Sequence, residues 1–351
     1  MRAMAVICGT KQSNFSLDDI NMQIDLIDIP YQEPRLDKGQ ILIQVKAFSC
    51  NYRDKWLIKQ AHESGRQGYY IFGSEFCGNV IGIGSEVSNV DIGDLVISNH
   101  HYGFYNGKRL NGIPTNHSSK EFLVVEHDKV LKIDSNIDPT IGAAISLGGQ
   151  TSRSMIRRSG IGPNNNALVM APTSNTSIFI IQQLVAMGVD VSVLGSNQSN
   201  SSRVLDLGVT KYYENTKDGR EALMSSAMKK LGFDYAFDVF SDIYGPSIFP
   251  FLTLGATYIT CGVLKQGYFN GNINTGGISF ADASQLMIQG NLNIVANCLG
   301  VRGDLEEFVG MVIDQSISPI IDSVHTLSSP TEFLFRTYVD RTRFGKVVYA
   351  Y

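Results

Sequence analysis

The chain has 351 residues, long enough for two domains each with its own core. A hydrophobic content of 43% with 18% charged residues is that of a folded globular protein and excludes a disordered or fibrous one. A net charge of -4 supplies no basic face, so nucleic acid is excluded as the expected partner.

No apolar run is long enough to span a bilayer, and the start, MRAMAVICGTKQ, lacks a signal-peptide pattern. No membrane association is expected, and the reading is cytoplasmic. The five cysteines (Cys8, Cys50, Cys77, Cys261, Cys298) are scattered without a CxxC pair. They read as reduced core residues, and no clustered thiolates are available for a structural zinc lobe.

From Met1 to about Val130 the pattern is one of short strands and turns. Gln40 to Ala47 partly alternates polar and apolar residues, and Phe122 to Val125 is a second strand candidate. Between them, Phe72 to Val96 is punctuated by glycines at 73, 78, 82, 84 and 93, as in a compact barrel with tight corners. His101 to His117, rich in glycine, asparagine and tyrosine, reads as an exposed loop, with His100 and His101 solvated at its start.

From Gly142 the period changes. Gly142 to Ser159 reads as a helix, and strands follow at Ala167 to Met170, Asp190 to Leu194, Tyr212–Tyr213, Tyr235 to Val239 and Thr257 to Cys261. Strands alternating with helical segments predict a parallel sheet covered on both faces. The tail carries a helix, Leu305 to Gln315, and a final strand in FGKVVYAY.

The stretch ALVMAPTSNTSIFIIQQLVAMG, Ala167 to Gly188, is a strand, a small polar turn and an apolar helix closed by Gly188. Unpaired N–H groups and the positive dipole end at such a helix start form a site for a pyrophosphate. The usual turn, GxGxxG, is absent; Ser174, Asn175, Thr176 and Ser177 stand there and offer hydroxyl and amide donors. The alternative is that Ser174 or Thr176 only caps the helix. After the next strand an NAD enzyme offers Asp or Glu to the ribose. This chain offers Ser196, Asn197, Gln198 and Ser199, with Arg203 one turn on. Neutral donors beside a cation favour NADPH, unless GSNQSNSSR is simply a solvated loop and helix start.

Together SCNYRD (Ser49 to Asp54), GSEFCGNVIGIGSEVSNVDIGDLV (Gly73 to Val96), GGQTS (Gly148 to Ser152), the βα turn, FDVF and FGKVV resemble the medium-chain dehydrogenase/reductase superfamily, in its zinc-free quinone oxidoreductase and enoyl reductase branch. The resemblance implies an α/β fold: a GroES-like β-barrel catalytic domain from residues 1–147 and 301–351, and a Rossmann doubly wound parallel sheet from 148–300. It further implies that cofactor and substrate meet in the cleft between the domains. Members are often dimers or tetramers, and a homodimer is expected.

Alcohol dehydrogenases of the superfamily hold a catalytic zinc. Asn51, Ser74 and Leu147 stand at the places of its ligands, so no metal is expected. The implied reaction is reduction of an electron-poor C=C bond by NADPH. The substrate is a small molecule or peptide with an activated alkene: a quinone, an enone, an enoyl thioester or a dehydroalanine residue of a lanthipeptide giving D-alanine. Thr151 falls near the nicotinamide by resemblance, and Gly262, after the Thr257 to Cys261 strand, joins the cofactor contacts. Tyr52 is the candidate proton donor, or it packs against the barrel. Asn51 binds the nicotinamide ribose or orients the substrate. Arg153 faces an acidic or peptide substrate, or solvent. Two rival classes are a non-catalytic NADPH-binding sensor or scaffold on the same fold and a zinc alcohol dehydrogenase.

Overall fold

The computed structural model describes residues 1–105, 108–110, 112–264, 280–326 and 329–351. It divides into two compact units, Met1–Leu147 with Val301–Val309 and Pro319–Tyr351, and Gly148–Gly300 with Gly310–Ser318.

In chain order, the first unit begins with β1 (Arg2–Cys8), β2 (Phe15–Leu17), β3 (Ile20–Asp28), β4 (Gln40–Ser49), α1 (Tyr52–Glu63), β5 (Gly68–Ile71), β6 (Glu75–Ile83) and β7 (Leu95–Ser98). It continues through β8 (Gly103–Tyr105), β9 (Lys108–Leu110), β10 (Phe122–Glu126), β11 (Val130–Lys132) and the start of α2 (Pro139–Ser159). The second unit carries β12 (Asn166–Met170), α3 (Asn175–Ala186), β13 (Asp190–Gly195), α4 (Ser201–Leu205), β14 (Lys211–Glu214) and α5 (Lys217–Lys230). Then come β15 (Phe233–Asp238), β16 (Leu252–Thr260), α6 (Phe280–Gln289), β17 (Asn293–Ala296) and α7 (Arg302–Ile313), and the chain closes with β18 (Ile321–Thr326), α8 (Pro330–Tyr338) and β19 (Lys346–Ala350).

The first unit is built on a sheet ordered β11-β7-β6-β4-β19-β18, with β10 also on β4, and a second ordered β2-β3-β1-β5. The C-terminal strand β19 pairs antiparallel with β4, which lies between β19 and β6 and sets Ser49 opposite Glu75 and Val348. Phe48, Phe333 and Tyr349 are fully buried and pack ring against ring. The second unit is a six-stranded, all-parallel sheet ordered β14-β13-β12-β15-β16-β17. This is the strand order of the doubly wound nucleotide-binding fold. In α3 the residues Ile178 to Ile181 and Leu184 are all buried, which is why its sequence is apolar on every side.

Three local readings are corrected. The barrel region contains α1, a twelve-residue helix in a stretch read as strands and turns. Asn51 is its N-cap, and the Asp54 carboxylate reaches back to accept from Asn51 N at 2.8 Å. The His101 to His117 stretch contains the hairpin β8–β9; positions 106, 107 and 111 lie outside the described residues. His100 is fully buried rather than solvated, with Nε2 2.9 Å from the Ser74 carbonyl.

Candidate functional site

In the first unit, the ends of β4, β6 and β19, with α1 and α2, converge on one carboxylate. Glu75 is fully buried. Its Oε1 accepts from Leu147 N (2.9 Å) and Ser146 Oγ (3.1 Å). Its Oε2 accepts from Ser49 Oγ (3.1 Å), Asn51 Nδ2 (3.1 Å) and Lys346 Nζ (2.7 Å). Burial alone would raise this carboxyl, but Lys346 and the other donors hold it below the ordinary range. The Lys346 ammonium, 3% exposed, also donates to Asn51 Oδ1 at 2.7 Å.

A second buried carboxylate lies one turn away. Asp54 Oδ2 accepts from Ser74 Oγ at 2.7 Å and from Asn51 N, and Oδ1 accepts from Arg53 Nη1 at 3.0 Å. Burial raises its pKa despite Arg53. Burial likewise pushes His100 down to about 4, so the imidazole is neutral.

The three places expected to lack metal ligands can now be tested as a donor set. Asn51 Oδ1 already takes the Lys346 ammonium, Ser74 Oγ is spent on Asp54, and Leu147 has no ligating side-chain atom, its backbone N–H going to Glu75. An ammonium among the residues that would hold a dication repels it, so this set does not fit zinc. Among the described residues no group of three or more His, Cys, Asp or Glu could hold a metal ion.

Asn51 is thus committed at every polar atom, its carbonyl accepting from Tyr338 Oη at 2.9 Å. Its side chain thereby links Lys346 to Glu75 at the centre of the cluster. Tyr52, the first residue of α1, stands half-buried with its ring edge-on to Tyr338 (6.1 Å) and Lys55 5.9 Å above it.

In the second unit, most of the expected cofactor residues lie at the carboxyl ends of β12, β13 and β16, the edge where doubly wound sheets bind ligands. Ser174 is the N-cap of α3; its Oγ accepts from Ser177 N at 3.2 Å and donates to Ser177 Oγ at 2.9 Å. Asn175 and Thr176 form the first turn, where backbone N–H groups point out of the helix. Ser177 departs from expectation: fully buried, it donates to Met170 O at 2.8 Å and ties the helix to the end of β12. Thr151, on α2, is 5% exposed, and its Oγ1 has no hydrogen-bond partner. Its neighbour Ser152 accepts from Gln183 of α3 at 3.0 Å. A buried orphan hydroxyl and a helix start with outward N–H groups fit a dinucleotide.

After β13, Asn197 Oδ1 accepts from both Ser199 N and Ser199 Oγ, and its Nδ2 donates to Ser196 Oγ. The loop's donors therefore partly satisfy one another. Arg203, on α4, is exposed and donates to Asn200 Oδ1 at 3.4 Å. Gly195 is required here, because a Cβ would sit 1.8 Å from Tyr212 Oη, which donates to Asn197 O. Gly262 follows β16; its carbonyl accepts from Ser241 N and Oγ, both at 3.0 Å, and a Cβ would press on Val239 O at 2.8 Å. Arg153 is half-buried on α2, while Arg157 and Arg158 are exposed.

The residues missed at the sequence level are Glu75, Lys346, Ser74, Asp54 and His100 in their joint role. FGKVV and GSE were visible as segments, but nothing in either names the other as its partner.

Residues 37–135 match the alcohol dehydrogenase GroES-like domain. A zinc-type alcohol dehydrogenase-like protein of Schizosaccharomyces pombe is 22% identical, over 91% of this chain and 93% of that protein. Among solved structures, an NAD-dependent alcohol dehydrogenase superimposes with a TM-score of 0.81 at 20% identity, covering 100% of both chains. A mycobacterial quinone oxidoreductase does so with 0.74 at 17%, again covering 100% of both.

Proposed function

We propose that the chain is a member of the medium-chain dehydrogenase/reductase superfamily and, within it, a cytoplasmic, NADPH-dependent, zinc-independent reductase of an electron-poor C=C bond; the GroES-like match over residues 37–135 and the near full-length likeness to alcohol dehydrogenases support the membership. The observation that carries the reading is the buried Lys346–Glu75–Asn51 cluster, an internal ammonium where a zinc enzyme needs open ligands. A reaction whose developing charge is taken up by the substrate's own carbonyl needs no metal. Quinones, enones, enoyl thioesters and a lanthipeptide dehydroalanine residue meet that requirement.

When bound, NADPH supplies the hydride. The start of α3, with Ser174, Asn175 and Thr176, would receive its pyrophosphate, and Thr151 and Gly262 would border the ring. Ser196, Asn197, Ser199 and Arg203 would meet the 2′-phosphate. Tyr52, held at the head of α1, delivers the proton to the second alkene carbon. A homodimer is part of the same reading, supported by β17, an edge strand of the six-stranded sheet with Ile294 exposed.

The test is titration with NADPH and NADH by nicotinamide fluorescence, then NADPH oxidation with each alkene class. Tyr52→Phe should lower kcat about 100-fold or more with NADPH affinity unchanged; an unchanged kcat removes Tyr52 from the mechanism. A non-catalytic NADPH-binding protein is the second reading, favoured by the departure of the serine turn from a glycine-rich one, and it predicts NADPH binding with no oxidation by any alkene.

A further inference from the structure

One cation of the first unit is not absorbed by the cluster. Arg53, the second residue of α1, has a side chain about a quarter exposed (26%), whereas that of its partner Asp54 is at 0%. The guanidinium is fixed at both ends. Nη1 donates to Asp54 Oδ1 at 3.0 Å, and Nη2 donates to Asn116 Oδ1 at 2.9 Å. Both acceptors are themselves anchored. Asp54 is gripped by Ser74 Oγ and Asn51 N. The Asn116 segment is stitched to the strand leading into β6, Ser118 N donating to Gly73 O (3.0 Å) and Ser119 N to Phe72 O (3.0 Å).

Counter-charge for Asp54 needs only the Nη1 bond. The second bond, to an amide that carries no charge, adds nothing to neutralisation but locks the plane of the guanidinium. An arginine has five N–H donors, and these two bonds use two of them. Nε–H and one hydrogen on each Nη are not used by those bonds; Tyr70, whose ring meets His117 edge-on at 6.1 Å, lies close enough to Arg53 and Asp54 for both charges to act on its hydroxyl. A planar, pre-oriented fork that keeps three N–H donors beyond these two bonds, on a partly exposed side chain, matches the paired oxygens of a carboxylate.

We propose that Arg53 is a carboxylate-binding residue that docks an anionic substrate beside Tyr52. That the bound carboxylate belongs to an activated alkene rests on the function proposed above; the binding itself does not.

The experiment uses the full chain without cofactor, titrated by calorimetry with crotonate and, separately, with crotonamide, its uncharged counterpart of the same shape. Charge-assisted hydrogen bonds lost from such a site weaken binding about tenfold or more. Crotonate should therefore bind at least about tenfold more tightly than crotonamide, and Arg53→Lys should remove most of that preference. Because Arg53→Gln strands the buried Asp54 charge and risks misfolding, the Arg53→Gln/Asp54→Asn double variant serves as a second probe and should bind both compounds equally weakly. Equal binding of the two compounds by the native chain overturns the proposal, as does a crotonate preference that survives in a folded double variant. NADPH oxidation by a neutral enone scores the reductase reading separately. Arg53-dependent crotonate binding with no oxidation of any alkene would keep this site and overturn that reading, and enone reduction without crotonate binding would do the reverse.

Discussion

Replacing Lys346 with Met tests whether the ammonium is the organising charge of the first unit. The substitution keeps the length of the stem and removes a cation that is 3% exposed and bonded at 2.7 Å to both Glu75 Oε2 and Asn51 Oδ1. Removing one partner of a buried pair costs about 3–5 kcal/mol. Glu75 would keep four neutral donors, from Ser49, Asn51, Ser146 and Leu147, which places the cost near the lower end, about 3 kcal/mol. Urea unfolding should show the midpoint falling with an unchanged slope. The loss has a pH signature. Glu75 is held below its ordinary pKa in the native chain, so its contribution is present at neutral pH and lost as pH falls through the folded value. Without Lys346 that depression shrinks, and the gap between variant and native should narrow below about pH 4.5. Adding Glu75→Gln should recover at least half the loss, since removing both charges of a buried pair is often close to neutral. A Lys346→Met protein within about 0.5 kcal/mol of native, or a double variant no more stable than the single one, refutes the reasoning.

His100 and Asp238 should pull stability in opposite directions with pH. His100, near 4 when folded against an ordinary 6.5, leaves the unfolded chain holding an extra proton between those values, so stability falls by about 3 kcal/mol as pH drops through them. His100→Gln should flatten that slope in a series of melts. Asp238, buried and raised to about 6, holds its proton longer in the folded chain, so stability rises as pH falls from 6 towards 3.8; Asp238→Asn should abolish this component. Ser174→Ala removes the cap of α3 and should cost about 1 kcal/mol by calorimetry. Gly195→Ala drives a methyl into Tyr212 and should cost about 1–3 kcal/mol, most of it recovered by Tyr212→Ala in the same chain. Failure of that recovery would mean that Gly195 is required for another reason.

Much of the second unit was readable because its signals are local. The apolar strand at Ala167, the polar turn and Gly188, which takes up a φ of +79° after α3, all lie within one short stretch. The helix α1 was not readable in that way. Its buried residues are Asp54, Ile58 and Lys59, so it shows no apolar stripe, and its start depends on an Asn and Asp pair that could equally begin a turn. The cluster around Glu75 was still less accessible. Ser49 and Lys346 are brought to it by pairing of β4 with β6 and of β19 with β4, and no spacing rule connects positions 271 residues apart. His100 read as a loop residue because its sequence neighbours are polar. Its burial is decided by Ser74, which is reached only once β6 and β7 are paired.

The serine turn of α3 places hydroxyls where motif spacing alone says nothing of their partners. A glycine there contributes by absence, letting backbone approach backbone or phosphate. Substituting Ser177 leaves a hydroxyl that must be satisfied in a buried place, and the carbonyl of Met170 at the end of β12 is the acceptor within reach. Ser174 then closes the turn by accepting from Ser177 N and donating to Ser177 Oγ. Two of the four expected phosphate donors are therefore spent on holding the helix to its strand. What remains for an anion is the part that does not depend on side-chain identity, the outward N–H groups and dipole of a twelve-residue helix. Under the reading proposed above, discrimination of a 2′-phosphate would fall to the loop after β13 and the exposed Arg203 of α4.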